Sequence, residues 1–268
     1  MSTIPVTFNG TIPQQYDDYL GPLLFEPYAL DLADRINYAP VTNVLELACG
    51  TGRLTNLLLA RLPASVPLTA TDLNPDMLAV ARKIIPAPGV TWAVVDISAI
   101  PYADNQFDLI ASQFGFMFVP DKLKALTEMH RVLANGGKLI FNTWGNIKDN
   151  GAWAIVNQVL TTFMGSNPVP QSLGPFSMAD GPAVVELLTQ AGFNNVTVTS
   201  VKKTGLTESA AIAAQGFIQG LPFATAIQAQ DPSLLPKIQA AVEQEFIAQL
   251  GNNPLQTPLH ALVFEASK

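Results

Sequence analysis

Cysteine, histidine and charge are all scarce in this chain of 268 residues. A single cysteine, Cys49, leaves no internal disulfide to form, and the two histidines make no Cys/His cluster of zinc-ligand spacing. No metal site is expected. Charged residues make up only 13% of the chain, about half the usual share. The net charge is -7 and no block of Lys and Arg interrupts it, which excludes the basic footprint that unaided nucleic-acid binding requires. No apolar run approaches the roughly 18 residues of a membrane span. The opening Met1-Ser2-Thr3-Ile4-Pro5 lacks the charged and apolar regions of a signal peptide. A soluble, cytoplasmic protein is the expectation. Apolar residues, by contrast, reach 49%, enough for a large core and for an apolar pocket or a subunit interface. Monomer and homodimer both stay open. The length fits one large α/β domain, or one carrying an inserted cap.

The pattern along the chain is one of alternation. Residues 1–12 read as a loose arm. Residues 14–37 are helical in period, with Tyr16, Tyr19 and Leu20 at i, i+3 and i+4, and Gly21-Pro22 is expected to break them. Strands are predicted at 44–48, 68–72, 90–96, 107–112 and 138–143, with helices at 52–62, 76–84 and 121–134 between them. Gly136-Gly137 is expected to close the last of these helices. Such alternation implies a parallel sheet with helices on both faces. After Trp144 the rhythm changes. Residues 146–180, with one helical stretch at 152–163, read as a cap inserted over the sheet's carboxyl edge. Helices at 181–191, 208–219 and 233–250 and strands at 196–201 and 259–265 complete the reading. There is no internal repeat and no low-complexity segment.

The most informative stretch is Val44-Leu45-Glu46-Leu47-Ala48-Cys49-Gly50-Thr51-Gly52-Arg53-Leu54-Thr55. It reads as strand, tight glycine turn and helix. Glycine lets backbone approach a ligand closely, and a helix start offers unpaired N–H groups. A nucleotide-like cofactor is the expected ligand. A dinucleotide fingerprint needs a small third residue where Thr55 stands, so an NAD(P)-linked oxidoreductase is the weaker alternative. Asp72, at the end of the second strand, is placed to accept both ribose hydroxyls, though a turn or capping role fits it as well. Asp96 is placed to accept from an adenine amine, with Ile97, Leu73 and Met77 packing on the base; a strand-end cap and a core methionine are the plain readings of Asp96 and Met77. Cys49 reads as a small buried hydrophobe whose backbone touches the cofactor, not as a nucleophile. His130 shares a helical stripe with Leu123, Leu126 and Leu133 and reads as packed. His260 is near the carboxyl-edge cleft only if the last strand runs antiparallel.

The pattern Glu46-x-x-x-Gly50-x-Gly52 resembles the first motif of class I S-adenosylmethionine-dependent methyltransferases. The resemblance widens downstream, through Ile100-Pro101-Tyr102-Ala103-Asp104-Asn105-Gln106-Phe107-Asp108, the aromatic segment from Phe114 to Phe118, and Arg131-Val132-Leu133-Ala134-Asn135-Gly136-Gly137. This set is similar to the ubiquinone/menaquinone-type branch of that family, with Asn135 in place of the usual proline. It spans residues 14–145, with a looser match at 175–201.

The resemblance implies a Rossmann-like fold with a seven-stranded, mainly parallel sheet whose last strand is antiparallel. In one domain over 1–268, residues 14–37 would form a helical cover, 38–145 the cofactor-binding core, 146–180 the cap and 181–268 the rest of the core with substrate-side helices. It implies S-adenosyl-L-methionine as cofactor. Glu46 beneath the turn would help hold its cationic groups. Ala48, Gly50 and Gly52 would line its methionine portion, Gln113 and Phe114 would face the sulfonium and the methyl group, and Tyr16 would cover it. Aromatic rings suit a sulfonium. Packing explains Tyr16 and Phe114 equally well. No catalytic residue is assigned; Tyr16, Gln113 and His260 are the weak candidates. The expected reaction is direct methyl transfer to a small, apolar or aromatic acceptor. A non-catalytic protein that keeps the cofactor pocket is the other alternative.

Overall fold

The computed structural model describes residue 8 and residues 10–165 and 174–268. Most of the 1–12 arm and residues 166–173 of the expected cap therefore lie outside the described residues. The strands are β1 (Val44–Leu47), β2 (Leu68–Asp72), β3 (Val90–Val94), β4 (Phe107–Gln113), β5 (Leu133–Trp144), β6 (Asn194–Thr207) and β7 (Leu255–Ser267). They form one seven-stranded sheet of order β3-β2-β1-β4-β5-β7-β6. Pairing is parallel from β3 through β5, and β7 joins β5 antiparallel. The strand order reverses between β1 and β4, and such a switch point opens a ligand crevice at the carboxyl ends of the strands.

Register decides which side chains share a face. Glu46 lies opposite Ala70 on one side and Ala111 on the other, and Ala111 opposite Ile140. With the two-residue alternation of strands, Asp72, Gln113 and Asn142 project from the same face as Glu46, one step nearer the carboxyl edge.

The helices are α1 (Ile12–Gln15), α2 (Glu26–Arg35), α3 (Arg53–Arg61), α4 (Pro75–Ile84), α5 (Lys122–Val132), α6 (Gly151–Met164), α7 (Gly181–Gln190), α8 (Ala210–Gln219), α9 (Phe223–Gln230) and α10 (Leu234–Leu250). Their apolar stripes are buried. In α5, Ala125, Leu126, Met129 and Val132 recur at helical spacing and are fully enclosed. His130 packs edge-on against Phe193 with ring centroids 5.1 Å apart, whereas Leu123, expected in the same stripe, is 38% exposed. Asn74 caps α4, accepting from the Asp76 and Met77 N–H groups.

The chain divides into two compact units. One comprises Tyr28–Gly145, Phe176–Val201 and Ala261–Lys268. The other comprises Asn146–Pro175 and Lys202–His260 together with the first 27 residues, so far as these are described.

Three local expectations are corrected. Gly21-Pro22 does not break the N-terminal helix. Residues Tyr16–Phe25 wind as a π-helix, in which the Glu26 N–H reaches Gly21 O and the proline is absorbed. Gly136-Gly137 does not close α5, which ends at Val132 and runs straight into β5. The Arg131 and Val132 carbonyls accept from Asn105 and Gln106 N–H, so the helix end is satisfied without glycine. Strand β3 stops at Val94, leaving Asp96 two residues beyond it. Helix α9 has no counterpart in the sequence reading.

The segment between β3 and β4 is also tied to α5 by side chains, Arg131 foremost. Arg131 donates to the carbonyls of Ile100 and Tyr102 (2.8 Å each), to Asp104 (2.7 Å) and to both oxygens of Glu128 (2.9 Å each). Glu128 in turn accepts from the Ile100 N–H at 2.9 Å.

Candidate active site

The glycine turn between β1 and α3 is built from left-handed backbone. Ala48 (φ +53), Gly50 (φ +56) and Gly52 (φ +90) all lie in that region. At Gly52 the positive φ disfavours any side chain, and a Cβ there would also fall 2.8 Å from the tip of Ile85 and push it aside. At Ala48 the conformation costs about 1–2 kcal/mol, so neighbouring structure must impose it. Part of the clamp is the bond from Cys49 N–H to Thr71 O (2.8 Å), and Gly52 N–H closes back on Cys49 O (2.9 Å).

Two carboxylates flank this turn. Asp72 ends β2 and accepts from Gly50 N–H through one oxygen and from Asn74 N–H through the other, both at 2.8 Å. Burial pushes its carboxyl upward, and the amides of Asn74, Gly50 and Leu73 hold it back. Glu46 is fully buried beneath the turn. Burial raises its carboxyl to about 8, with the neighbouring charge of Asp72 adding to the rise and Thr55 on α3 opposing it. Thr55 stands beside Glu46 but out of bonding geometry: neither its hydroxyl nor either Glu46 oxygen makes a hydrogen bond among the described residues. A buried acid with two open acceptors fits a cationic or hydrogen-donating ligand group. Thr55 itself is fully buried, so the third small position of a dinucleotide fingerprint is filled by a β-branched side chain.

Cys49 is buried between these acids, and burial first, then Glu46 and Asp72, push its thiol well above its ordinary value. The folded protein should therefore resist a thiol-modifying reagent at pH 8 and react through its one thiol only after unfolding in urea. Ready reaction of the folded form would contradict an inert, buried thiol.

On the neighbouring edge, Val95 N–H donates to Asp72 O at 3.1 Å, which brings Asp96 beside the end of β2. Asp96 is exposed and one oxygen accepts from Ser98 N–H at 2.7 Å, so it is a turn residue with acceptor capacity left over. Ile97 (7% exposed) and Met77 (5%) are buried, whereas Leu73 is 66% exposed and presents an open apolar surface.

Gln113 ends β4 and is half-buried. Phe114 follows it in left-handed backbone (φ +50), its N–H donating to Asn142 Oδ1 at 2.9 Å. Its ring lies parallel to Trp144, centroids 3.9 Å apart, and Tyr28 meets both edge-on. Two residues here escaped the sequence reading, Gly115 and Asn142. Gly115 lies so close to the glycine turn that a Cβ on it would fall 2.1 Å from Ala48 Cβ. Neither carries a local signal, since both act through contacts distant in sequence.

The other candidates belong to the second unit. Tyr16 stacks on Phe25 with centroids 4.7 Å apart. His260 is held through its backbone, its N–H donating to Asn150 Oδ1 (2.9 Å) and its carbonyl accepting from Asn150 Nδ2 (3.1 Å). Its Nδ1 lies 3.5 Å from Asp149 Oδ2. Ala261, the next residue, pairs with Trp144 in the antiparallel sense, so the condition placed on the direction of this strand is met. Among the described residues no group of three or more His, Cys, Asp or Glu could hold a metal ion, and no single helix is long and apolar enough to cross a membrane.

Sheet order, switch point and left-handed glycine turn define a Rossmann-like cofactor-binding fold. A methyltransferase-domain family matches residues 45–141. The chain is 41% identical over 114 residues to a demethylmenaquinone methyltransferase of Thermus thermophilus, covering 42% of this chain and 50% of that protein. It is 34% identical over 110 residues to a ubiquinone/menaquinone biosynthesis C-methyltransferase of Geotalea daltonii, covering 40% and 47%. The chain thus spans about half the length of the curated relatives it matches. In structure it resembles phosphoethanolamine N-methyltransferase 2 of Haemonchus contortus, solved with S-adenosyl-L-methionine, at a TM-score of 0.59 and 16% identity over 96% of this chain and 56% of that one. It also resembles the [4+2]-cyclase SpnF, at a TM-score of 0.56 and 17% identity over 100% and 99% of the two chains. At these identities the structural likeness is one of fold. Residues 45–141 thus match a methyltransferase domain, and the segment aligned with the curated relatives is similar to enzymes of the ubiquinone/menaquinone type.

Proposed function

We propose that this protein transfers a methyl group from S-adenosylmethionine to a small aromatic or quinone-type acceptor. The observation that carries the cofactor half of this reading is the pair of acids at the glycine turn. Asp72 keeps acceptor capacity at the edge, and Glu46 holds two buried oxygens without a donor. Bound S-adenosylmethionine supplies an electrophilic methyl group on a cationic sulfur. Asp72 accepts the ribose hydroxyls, Asp96 an adenine amine beside Ile97 and Leu73, and Glu46 draws the cationic end toward the turn. Gln113 and Phe114 line the methyl side. The chain's contribution is to position and to exclude water, since near-attack alignment is worth several kcal/mol without an enzyme nucleophile. A nucleophilic Cys49 has no place in it. The aromatic acceptor is supported by the names of the sequence relatives and by the apolar composition. Gln113 remains the catalytic candidate in the unit that carries the glycine turn.

The test is parallel calorimetric titration with S-adenosylmethionine, S-adenosylhomocysteine and NAD, followed by incubation with a reduced demethylated naphthoquinone. We expect micromolar binding of the first two, silence from NAD and a product heavier by one methyl group. Binding of NAD alone would overturn the cofactor reading. Cofactor binding without turnover on any ring acceptor would leave a binding protein of the same fold.

A further inference from the structure

Two turns at the carboxyl edge of the sheet pass through left-handed backbone at a residue other than glycine. These are Ala48 after β1 and Phe114 after β4. An L-residue seldom holds that conformation unless something fixes it. At Phe114 the fixing groups come from β5, through the Asn142 Oδ1 that accepts its N–H and the Trp144 ring beneath it. Asn142 is fully buried, opposite Gln113 in the register, and its Nδ2 has no partner among the described residues. A buried amide left half-satisfied costs stability that an apolar residue would not. Its bond to Phe114 is the return visible on that cost. The residue after Phe114 is Gly115, in van der Waals contact range of Ala48, with no room for a Cβ between them.

We propose that Asn142 and Gly115 are positioning residues for the cofactor turn. Asn142 fixes Phe114, and Gly115 passes that setting to Ala48. The turn that presents Gln113 and Phe114 and the turn that presents Gly50 and Gly52 then move as one body. This rests on the cofactor reading above. It adds to it that the affinity of the first turn is set by two residues that touch neither cofactor nor reacting atoms.

The test reads S-adenosylhomocysteine affinity by calorimetry, with thermal unfolding as control. Gly115→Ala should weaken binding by roughly tenfold or more, because the new Cβ must displace Ala48. Ala48→Gly in the same chain should restore it to within about threefold, since glycine suits the left-handed backbone. The next Ala48 atoms the new Cβ meets are then 3.5 Å away. Asn142→Leu should also lose about tenfold, and combined with Gly115→Ala it should lose no more than Gly115→Ala alone, the non-additivity of one shared path. Independent structural damage would give additive losses and no rescue. Unchanged affinity in Asn142→Leu, additive losses, or failure of Ala48→Gly to rescue would each overturn the proposal. If the unsubstituted chain does not bind S-adenosylhomocysteine, the cofactor reading fails and this inference with it. If it binds and the variants match it, only this inference fails.

Discussion

Asp72→Ala should reduce affinity for S-adenosylmethionine by about 100-fold or more. The carboxylate already accepts one backbone N–H on each oxygen, from Gly50 and Asn74. Each oxygen has a second lone pair, so two ribose hydroxyls can still be accepted. Hydrogen bonds to a charged group contribute about 1.5–3 kcal/mol each, and losing two accounts for the expected factor. The same change leaves Gly50 N–H without its acceptor and loosens the glycine turn. Asp72→Asn should fall between, because an amide can accept from only one of the two N–H groups and turns a donor toward the other. Calorimetry with S-adenosylmethionine and S-adenosylhomocysteine measures this, with circular dichroism to confirm that the variants fold. Unchanged affinity in a folded Asp72→Ala protein would end the ribose assignment.

The second large effect concerns Glu46. Its carboxyl titrates near 4.5 in an unfolded chain and at about 8 in the folded protein. As pH rises above 4.5 the unfolded chain releases this proton while the folded chain keeps it. Stability therefore falls between about pH 4.5 and 8 and levels off above. By pH 7 this one group lowers stability by about 3 kcal/mol relative to pH 4. Glu46→Gln is nearly isosteric and cannot ionise, so its urea-unfolding free energy should lose that slope, exceeding the parent at pH 7–8 and matching it near pH 4. An identical slope in both proteins would show that Glu46 does not carry it. The same residue gives cofactor binding a signature. At pH 7 the carboxyl is protonated, and a cationic group drawn to it favours the ionised form. Binding should release close to one proton in the parent and none in Glu46→Gln. Titrations in buffers of different ionisation heat count that proton.

Much of this was legible in the chain itself, and the reasons differ by element. Strand β2 falls where the apolar run and its Asp72 terminus predict, and β1 to within its last residue, because glycine turns and strand-ending acids are local signals. The antiparallel last strand came from the family resemblance and is present. What escaped depends on groups far apart in sequence. Gly136-Gly137 reads as a helix stop, yet α5 is ended by Asn105 and Gln106, some 25 residues upstream. Gly21-Pro22 reads as a break because proline usually interrupts an α-helix, whereas the wider π turn lacks that conflict. Asn142 is an ordinary polar residue in a buried strand until its bond to Phe114 is seen.

The Arg131 staple divides the cofactor cradle by its response to acidity. Its guanidinium is held charged by Glu128 and Asp104, and Glu128 is held below the usual carboxylate range by Arg131. The segment carrying Ile100 and Tyr102, which follows Asp96 and Ile97, is thus anchored by charges that do not change between mild acid and mild base. The turn over Glu46 is not. Across the neutral range the segment after Asp96 should keep its shape while the turn over Glu46 changes charge, so on the proposed reading a drift of pH would tune how tightly the cationic end of the cofactor is held.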